Sequence, residues 1–170
     1  MDFLKLAKQR YSVRKFLPKP VSDSDLQAIL EAGRLAPTAC NLQPQRIYAI
    51  RSAAGLAKLR RCTSCHFDAP LVLLICYDTS ESWKRSFDGF DSGCMDASIV
   101  STHIMLAAAE RGLGSTWVCY FDPELLRQEF SLPEQQIPAL LLPLGYPAPD
   151  ATANPMHFQR KDLAETVFYD

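Results

Sequence analysis

Two arginines four residues apart flank a hydroxyl in Arg10-Tyr11-Ser12-Val13-Arg14, and Lys15 follows at once. A guanidinium keeps its charge at physiological pH and presents its N–H groups as a rigid fork, so the pattern suits a phosphate or another oxyanion. A solvated basic end has the same composition, because charge runs more often decorate a surface than build a site. A second stretch, Ala36-Pro37-Thr38-Ala39-Cys40-Asn41-Leu42-Gln43-Pro44-Gln45, has no periodicity. Its amides and hydroxyls suit the edge of a heterocycle or a polyol chain, although a plain turn would use the same residues. A second basic pair, Arg160-Lys161, lies close to the C-terminus.

Cys62-Thr63-Ser64-Cys65-His66 has the spacing of a covalent haem attachment site. Against that stands an N-terminus without an apolar export segment. A zinc site needs four ligands where only Cys62, Cys65 and His66 cluster. For the six cysteines, free thiols are the expectation, together with a cytoplasmic location. Net charge is −1, and the one local excess is six Lys/Arg against one Asp in residues 1–20, so a nucleic-acid face is not expected. The longest apolar run, Leu71 to Tyr77, is far too short for a membrane span.

The elements that must carry these residues follow from periodicity and punctuation. Residues 3–9 read as a short helix that delivers Arg10 to Arg14, and Phe16-Leu17-Pro18-Lys19-Pro20 reads as extended because each proline disfavours helix in the residue before it. A helix begins among Ser22-Asp23-Ser24-Asp25, with Ser24 and Gln27 at capping-box spacing, and ends by Pro37; Gly33 on its apolar stripe permits a close approach. Arg46–Ile50 reads as a strand, residues 53–60 as a short helix, and Leu71–Tyr77 as a central strand covered on both faces. Residues 78–92 show no period yet carry Trp83, Phe87 and Phe90, which have to bury on the domain, on a partner or over a ligand. The longest helix spans Gly93 to Arg111 and stops at Gly112; His103 within it is given no role. Gly114–Phe121 reads as a strand, Asp122-Pro123 opens a helix to about Phe130, and Ile137–Gly145 is the last inner strand. No repeat or linker divides the chain, so residues 1–170 are expected to form one α+β domain with an extended, apolar C-terminal end.

Five of these pieces occur in the order found in one family: Arg10 to Phe16, Ala36 to Pro44, Leu106 to Trp117, Leu144-Gly145-Tyr146-Pro147, and Arg160-Lys161-Asp162-Leu163. On them the chain resembles the flavin-dependent nitroreductase family in its short form. The resemblance implies a mixed, mainly antiparallel sheet flanked by helices, and a homodimer with FMN at the interface and the C-terminal tail docked on the partner subunit. It implies an FMN-dependent NAD(P)H oxidoreductase that passes hydride through flavin N5 to a nitroaromatic, quinone or similar acceptor in a ping-pong cycle, with no side-chain acid or nucleophile. Carried over by position, Arg10 and Ser12 hold the phosphate and ribityl end, where Arg160 and Lys161 return, Tyr11 between them counts among the cofactor-binding residues, and Arg14 lies near the pyrimidine edge. Pro37, Thr38, Asn41 and Gln43 meet the ring from the partner subunit, and the strand after Trp117 brings the backbone N–H near Cys119 to N5. Gln45 stands where many relatives carry Trp, and Cys119 where many carry Gly. The same motifs fit a flavin store or sensor without turnover, or an enzyme of this fold with another acceptor chemistry.

Overall fold

In the computed structural model, which describes residues 2–170, the apolar run becomes strand β2 (Leu71–Asp78), buried on both faces over almost its whole length. It pairs antiparallel with β1 (Gln45–Ile50) on one side and with β4 (Gln136–Gly145) on the other. The short β3 (Gly114–Ser115) completes the order β1-β2-β4-β3. The ladders are antiparallel, and the parallel element among the described residues is a single bridge between Ser12 and Ser115.

Because strand side chains alternate, β2 feeds two cores. Leu71, Leu73 and Ile75 pack under α2 (Asp23–Arg34) and α4 (Gly93–Glu110). Val72, Leu74 and Cys76 pack under α3 (Ala53–Cys62) and α5 (Pro123–Phe130). The helix α1 (Phe3–Gln9) buries no residue and leads into the basic segment. No helix among the described residues is long and apolar enough to cross a membrane.

Helices α2 and α4 approach closely because Gly33 lacks a side chain: a Cβ there would lie 2.8 Å from Ile104 Cγ1. Their far ends are tied by Asp25, which accepts from Arg111 Nε (2.8 Å), Tyr146 Oη (2.9 Å) and Ser22 Oγ (2.8 Å). These bonds, Ser22's first and then those of Arg111 and Tyr146, hold the Asp25 carboxyl below its ordinary range.

The structure departs from the sequence expectation in two elements. The N-cap of α2 is Ser22, whose hydroxyl accepts from Asp25 N, so the capping oxygen comes two residues before Ser24. The expected strand over Gly114–Phe121 contributes only Gly114–Ser115 to the ladder, with one further bridge from Val118 to Leu141. Beyond Ser115 the pairing with β4 thins to Thr116 N donating to Pro143 O (3.2 Å) and the mutual bonds of Val118 and Leu141, while the Thr116 hydroxyl donates to the carbonyl of Val13.

Candidate functional site

Residues 10–17 leave α1 as an extended strap across the end of the sheet. Val13 N donates to Ser115 O (3.0 Å), Leu17 N to Tyr146 O (2.9 Å), and Ala148 N to Lys15 O (3.0 Å). Gly114 admits the strap: a Cβ there would sit 2.6 Å from Val13 Cγ2. Val13 is buried, so the alternation of an extended chain turns Ser12 and Arg14 the other way.

The C-terminal tail closes over this outward face. Tyr11 Oη donates to Ala151 O (3.1 Å), His157 Nε2 lies 3.1 Å from Lys8 O, and the Asn154 side chain caps the turn Pro155–Phe158 by accepting from Met156 N. These ties bring Arg160 back beside Arg10. A cleft of about 300 Å³ results, lined by Arg10, Ser12, Arg14, Asn154, Met156, His157 and Arg160. Of the residues expected at the phosphate end the structure thus gathers Arg10, Ser12 and Arg160, and Arg14, expected near the pyrimidine edge, lines the same cleft. Lys161 is exposed and outside the lining, and the Tyr11 ring lines a smaller cavity of about 170 Å³ against the end of α4.

The charge in the cleft is one-sided. Among the described residues, no carboxylate comes within ion-pair distance of Arg10, Arg14 or Arg160, whereas Lys15 at the cleft's margin is paired with Asp150 at 2.7 Å. Burial, and then the charge of Arg160, push the Arg10 pKa below its ordinary value. Arg160 and Arg14 spend N–H groups only on nearby carbonyls, Arg160 on those of Gln159 (2.9 Å) and Met156 (3.4 Å) and Arg14 on that of Ser12 (3.4 Å). Converging guanidiniums with a hydroxyl and no acid form a donor set that fits a phosphate monoester.

The second polar stretch lies elsewhere. Around a 3₁₀ turn at Ala39–Asn41, the non-glycine residues Cys40, Asn41 and Gln43 take φ of 50°, 55° and 53°. Left-handed backbone is unfavourable for such residues and persists only where the surroundings impose it. Here Ala39 N donates to Asp96 Oδ1 (2.8 Å), Gln43 N to Thr38 Oγ1 (3.0 Å), and Asp78 N to Pro44 O (2.8 Å). Pro37, Asn41 and Gln43 are exposed and Thr38 is half-buried, and none of the four lines the basic cleft. Gln45 Oε1 is buried beside this loop without a hydrogen-bond partner.

The two half-sites stand at opposite ends of one helix. The loop is tied to the first turn of α4 through Asp96, while the strap lies on Ser115 just past its last turn. The 18 residues of α4 span about 27 Å at the usual rise. Cys119 is exposed and follows the Val118–Leu141 bridge, its sulfur accepting from Trp117 Nε1 (3.3 Å), and it too stands outside the cleft.

The aromatic loop is a small hairpin necked by the Lys84–Asp91 bridge. Phe87, 81% exposed, and Phe90, 40% exposed, flank the Arg85 guanidinium at 4.9 and 4.8 Å, and Asp88 braces it. In the cysteine motif, Cys62 is buried at the end of α3 and His66 Nδ1 accepts from Asp68 N (3.0 Å). Among the described residues, no three His, Cys, Asp or Glu side chains gather as metal ligands would.

Sequence reasoning missed Asn154, His157 and Asp96. Asn154-Pro155 is a readable cap signal, but nothing local says that the tail folds back onto residues 8–11. Asp96 reads simply as an acid in a first helical turn.

The family model described as the nitroreductase family matches residues 7–67 and 63–146. The chain belongs to the nitroreductase family. A relative from Methanothermobacter thermautotrophicus, provisionally named an NADH dehydrogenase/NAD(P)H nitroreductase, is 34% identical over 155 residues, which cover 87% of this chain and 78% of the relative. The crystal structure of a nitroreductase family protein from Clostridium difficile 630 superposes with a TM-score of 0.94 at 42% identity, covering 100% of this chain and 99% of that one. A provisionally named nitroreductase from Exiguobacterium sibiricum, solved in complex with FMN, shares the fold with a TM-score of 0.85 at 19% identity, over 100% of this chain and 98% of that one. This nitroreductase-family chain therefore has the antiparallel sheet and flanking helices expected from its motifs.

Proposed function

We propose that the chain is an FMN-dependent oxidoreductase that works as a homodimer and carries reducing equivalents from NAD(P)H to a nitroaromatic, quinone or similar acceptor in a ping-pong cycle. The observation that carries this reading is the cleft in which Arg10, Arg14 and Arg160 meet Ser12 with no carboxylate among them. The name of the archaeal relative supports the choice of NAD(P)H, and the FMN complex of the Exiguobacterium protein supports the cofactor.

When bound, FMN would supply the redox chemistry, hydride transfer between the nicotinamide and the acceptor. The chain's task is to bind and bias it. Arg10 and Arg160 hold the phosphate with charge-assisted hydrogen bonds, Ser12 donates beside them, and Lys161 adds charge at the rim. Arg14 is assigned to the pyrimidine edge, where a fixed cation favours negative charge arriving on the ring. Tyr11 acts through the tail, since its hydroxyl is engaged with Ala151. The backbone N–H near Cys119 is assigned to flavin N5.

Pro37, Thr38, Asn41 and Gln43 complete the site from a second copy. The loop and the strap stand toward opposite ends of α4, which supports placing one protomer's loop on the cofactor held by the other protomer's strap. Exposed Met95 and Ile99 on α4, and Leu163, Phe168 and Tyr169 in the tail, supply apolar surface for that partner. A single domain, a cytoplasmic location and a tail docked on the other subunit belong to the same reading, with the aromatic hairpin shaping acceptor choice.

The test is an absorbance spectrum of the purified protein before and after anaerobic addition of NAD(P)H. Flavin bands that bleach are expected; a colourless protein that does not quench the fluorescence of added FMN would overturn the proposal. Steady-state NAD(P)H oxidation with menadione or a nitrofuran separates turnover from flavin storage.

A further inference from the structure

Asp96 is 2% exposed, and among the described residues no lysine or arginine is paired with it. It is the acid of the first turn of α4, where the helix N-terminus favours an anion. Oδ2 accepts from Ser92 Oγ (2.8 Å), and Oδ1 accepts from the backbone N–H of Ala39 (2.8 Å). A buried carboxylate is costly unless its oxygens are satisfied, so this arrangement commits one of the two oxygens to a loop 57 residues away. Ala39 immediately precedes Cys40 and Asn41, the start of the left-handed run.

We propose that Asp96 is a positioning residue for the cofactor: it holds the strained Cys40–Gln43 turn in the one shape that presents Thr38, Asn41 and Gln43 to the flavin. This rests on the cofactor reading given above. A loop ordered before binding spares the cofactor the entropy of ordering it, so the carboxylate raises affinity for FMN without touching it. The sequence conceals this role because the helix dipole alone accounts for an acid at that position.

The experiment measures the FMN dissociation constant by fluorescence quenching, and apoprotein melting temperature, for five variants. Asp96→Ala removes the acceptor, and affinity is expected to fall about tenfold, as for a lost hydrogen bond to a charged group. Asp96→Asn keeps an oxygen for Ala39 N and can donate to Ser92 Oγ, so affinity within about twofold of wild type is expected. Ala39→Pro deletes the donor and leaves α4 intact. Proline suits the first position of a turn, and Thr38 is already extended (φ −133°, ψ 160°), as a residue before proline must be. It should also lose about tenfold in FMN affinity, by the same reasoning, and it decides the matter if Asp96→Ala does not fold. Ser101→Ala, which breaks only a bond from Ser101 Oγ to Ala97 O within α4, should leave affinity unchanged whatever it does to melting. Arg10→Ala reports on the cofactor reading itself. Wild-type affinity in Asp96→Ala or Ala39→Pro, with affinity lost in Arg10→Ala, overturns the role of Asp96 alone; no loss in Arg10→Ala overturns the cofactor reading beneath it.

Discussion

Arg10 loses solvent and gains a second cation, Arg160, in place of a carboxylate, an imbalance that an anionic ligand relieves. Removing either guanidinium should therefore cost affinity for the phosphate end: Arg10→Ala is expected to weaken FMN binding by about tenfold or more, as for other hydrogen bonds to charged groups. Titration of FMN into apoprotein at low and high salt checks this, because the affinity that remains should depend less on salt. Arg14→Ala should shift the flavin midpoint potential downward and lower the rate of flavin reduction more than it lowers affinity, which redox titration beside the binding curve would show. Acid sensitivity belongs to another residue. Asp25 is held below the ordinary carboxylate range by Ser22, Arg111 and Tyr146. Its contribution to stability is full above that range, about pH 4, and fades as pH falls toward the depressed folded value. Melting curves from pH 7 to pH 3 should show a smaller acid loss in Asp25→Asn than in wild type. At this scale the strap was legible because its chemistry is local, two arginines around a serine. Asn154 and His157 were not, since what places them is a tail folding back across 149 residues onto Lys8.

Helix α4 organises the elements around it. Its first turn fixes the loop, its middle accepts Gly33 of α2, and its end meets the strap. Gly93, where it begins, has no room for a side chain, because a Cβ would fall 2.1 Å from the Tyr77 ring. Gly93→Ala should accordingly destabilise the fold by about 1–3 kcal/mol, the usual cost of overpacking, seen as a melting temperature lower by several degrees. Helix limits were readable to within a residue where capping chemistry is local, as at Asp122-Pro123 for α5. The reading overshot at Gly114–Phe121, whose β-branched and aromatic residues have strand character but which meets β4 only through Gly114–Ser115, Thr116 N and the Val118–Leu141 bridge. Propensity speaks of one chain segment, whereas a ladder needs a neighbour in register.

For the whole molecule, an α4 with exposed Met95 and Ile99 and a tail ending in exposed Phe168 and Tyr169 are the surfaces on which the proposed dimer can be tested. Ile99→Glu should yield a monomer by sedimentation that no longer retains FMN, since each flavin then lacks the loop of the other copy; a monomer that still binds FMN with wild-type affinity would argue for a site complete in one chain. The sequence by itself determined the residue chemistry and the layer architecture. Spaced arginines, an amide-rich loop and a strand apolar on both faces are properties of short segments, readable from charge and periodicity. Only the tertiary structure decided which of those segments meet. Arg10 and Arg160 share a cleft through hydrogen bonds between residues about 140 apart, while the amide-rich loop is held at the other end of α4 by a buried carboxylate. Such contacts depend on how helices pack over the sheet, and helix packing is set by distant partners such as Gly33 and Ile104 that no local pattern names.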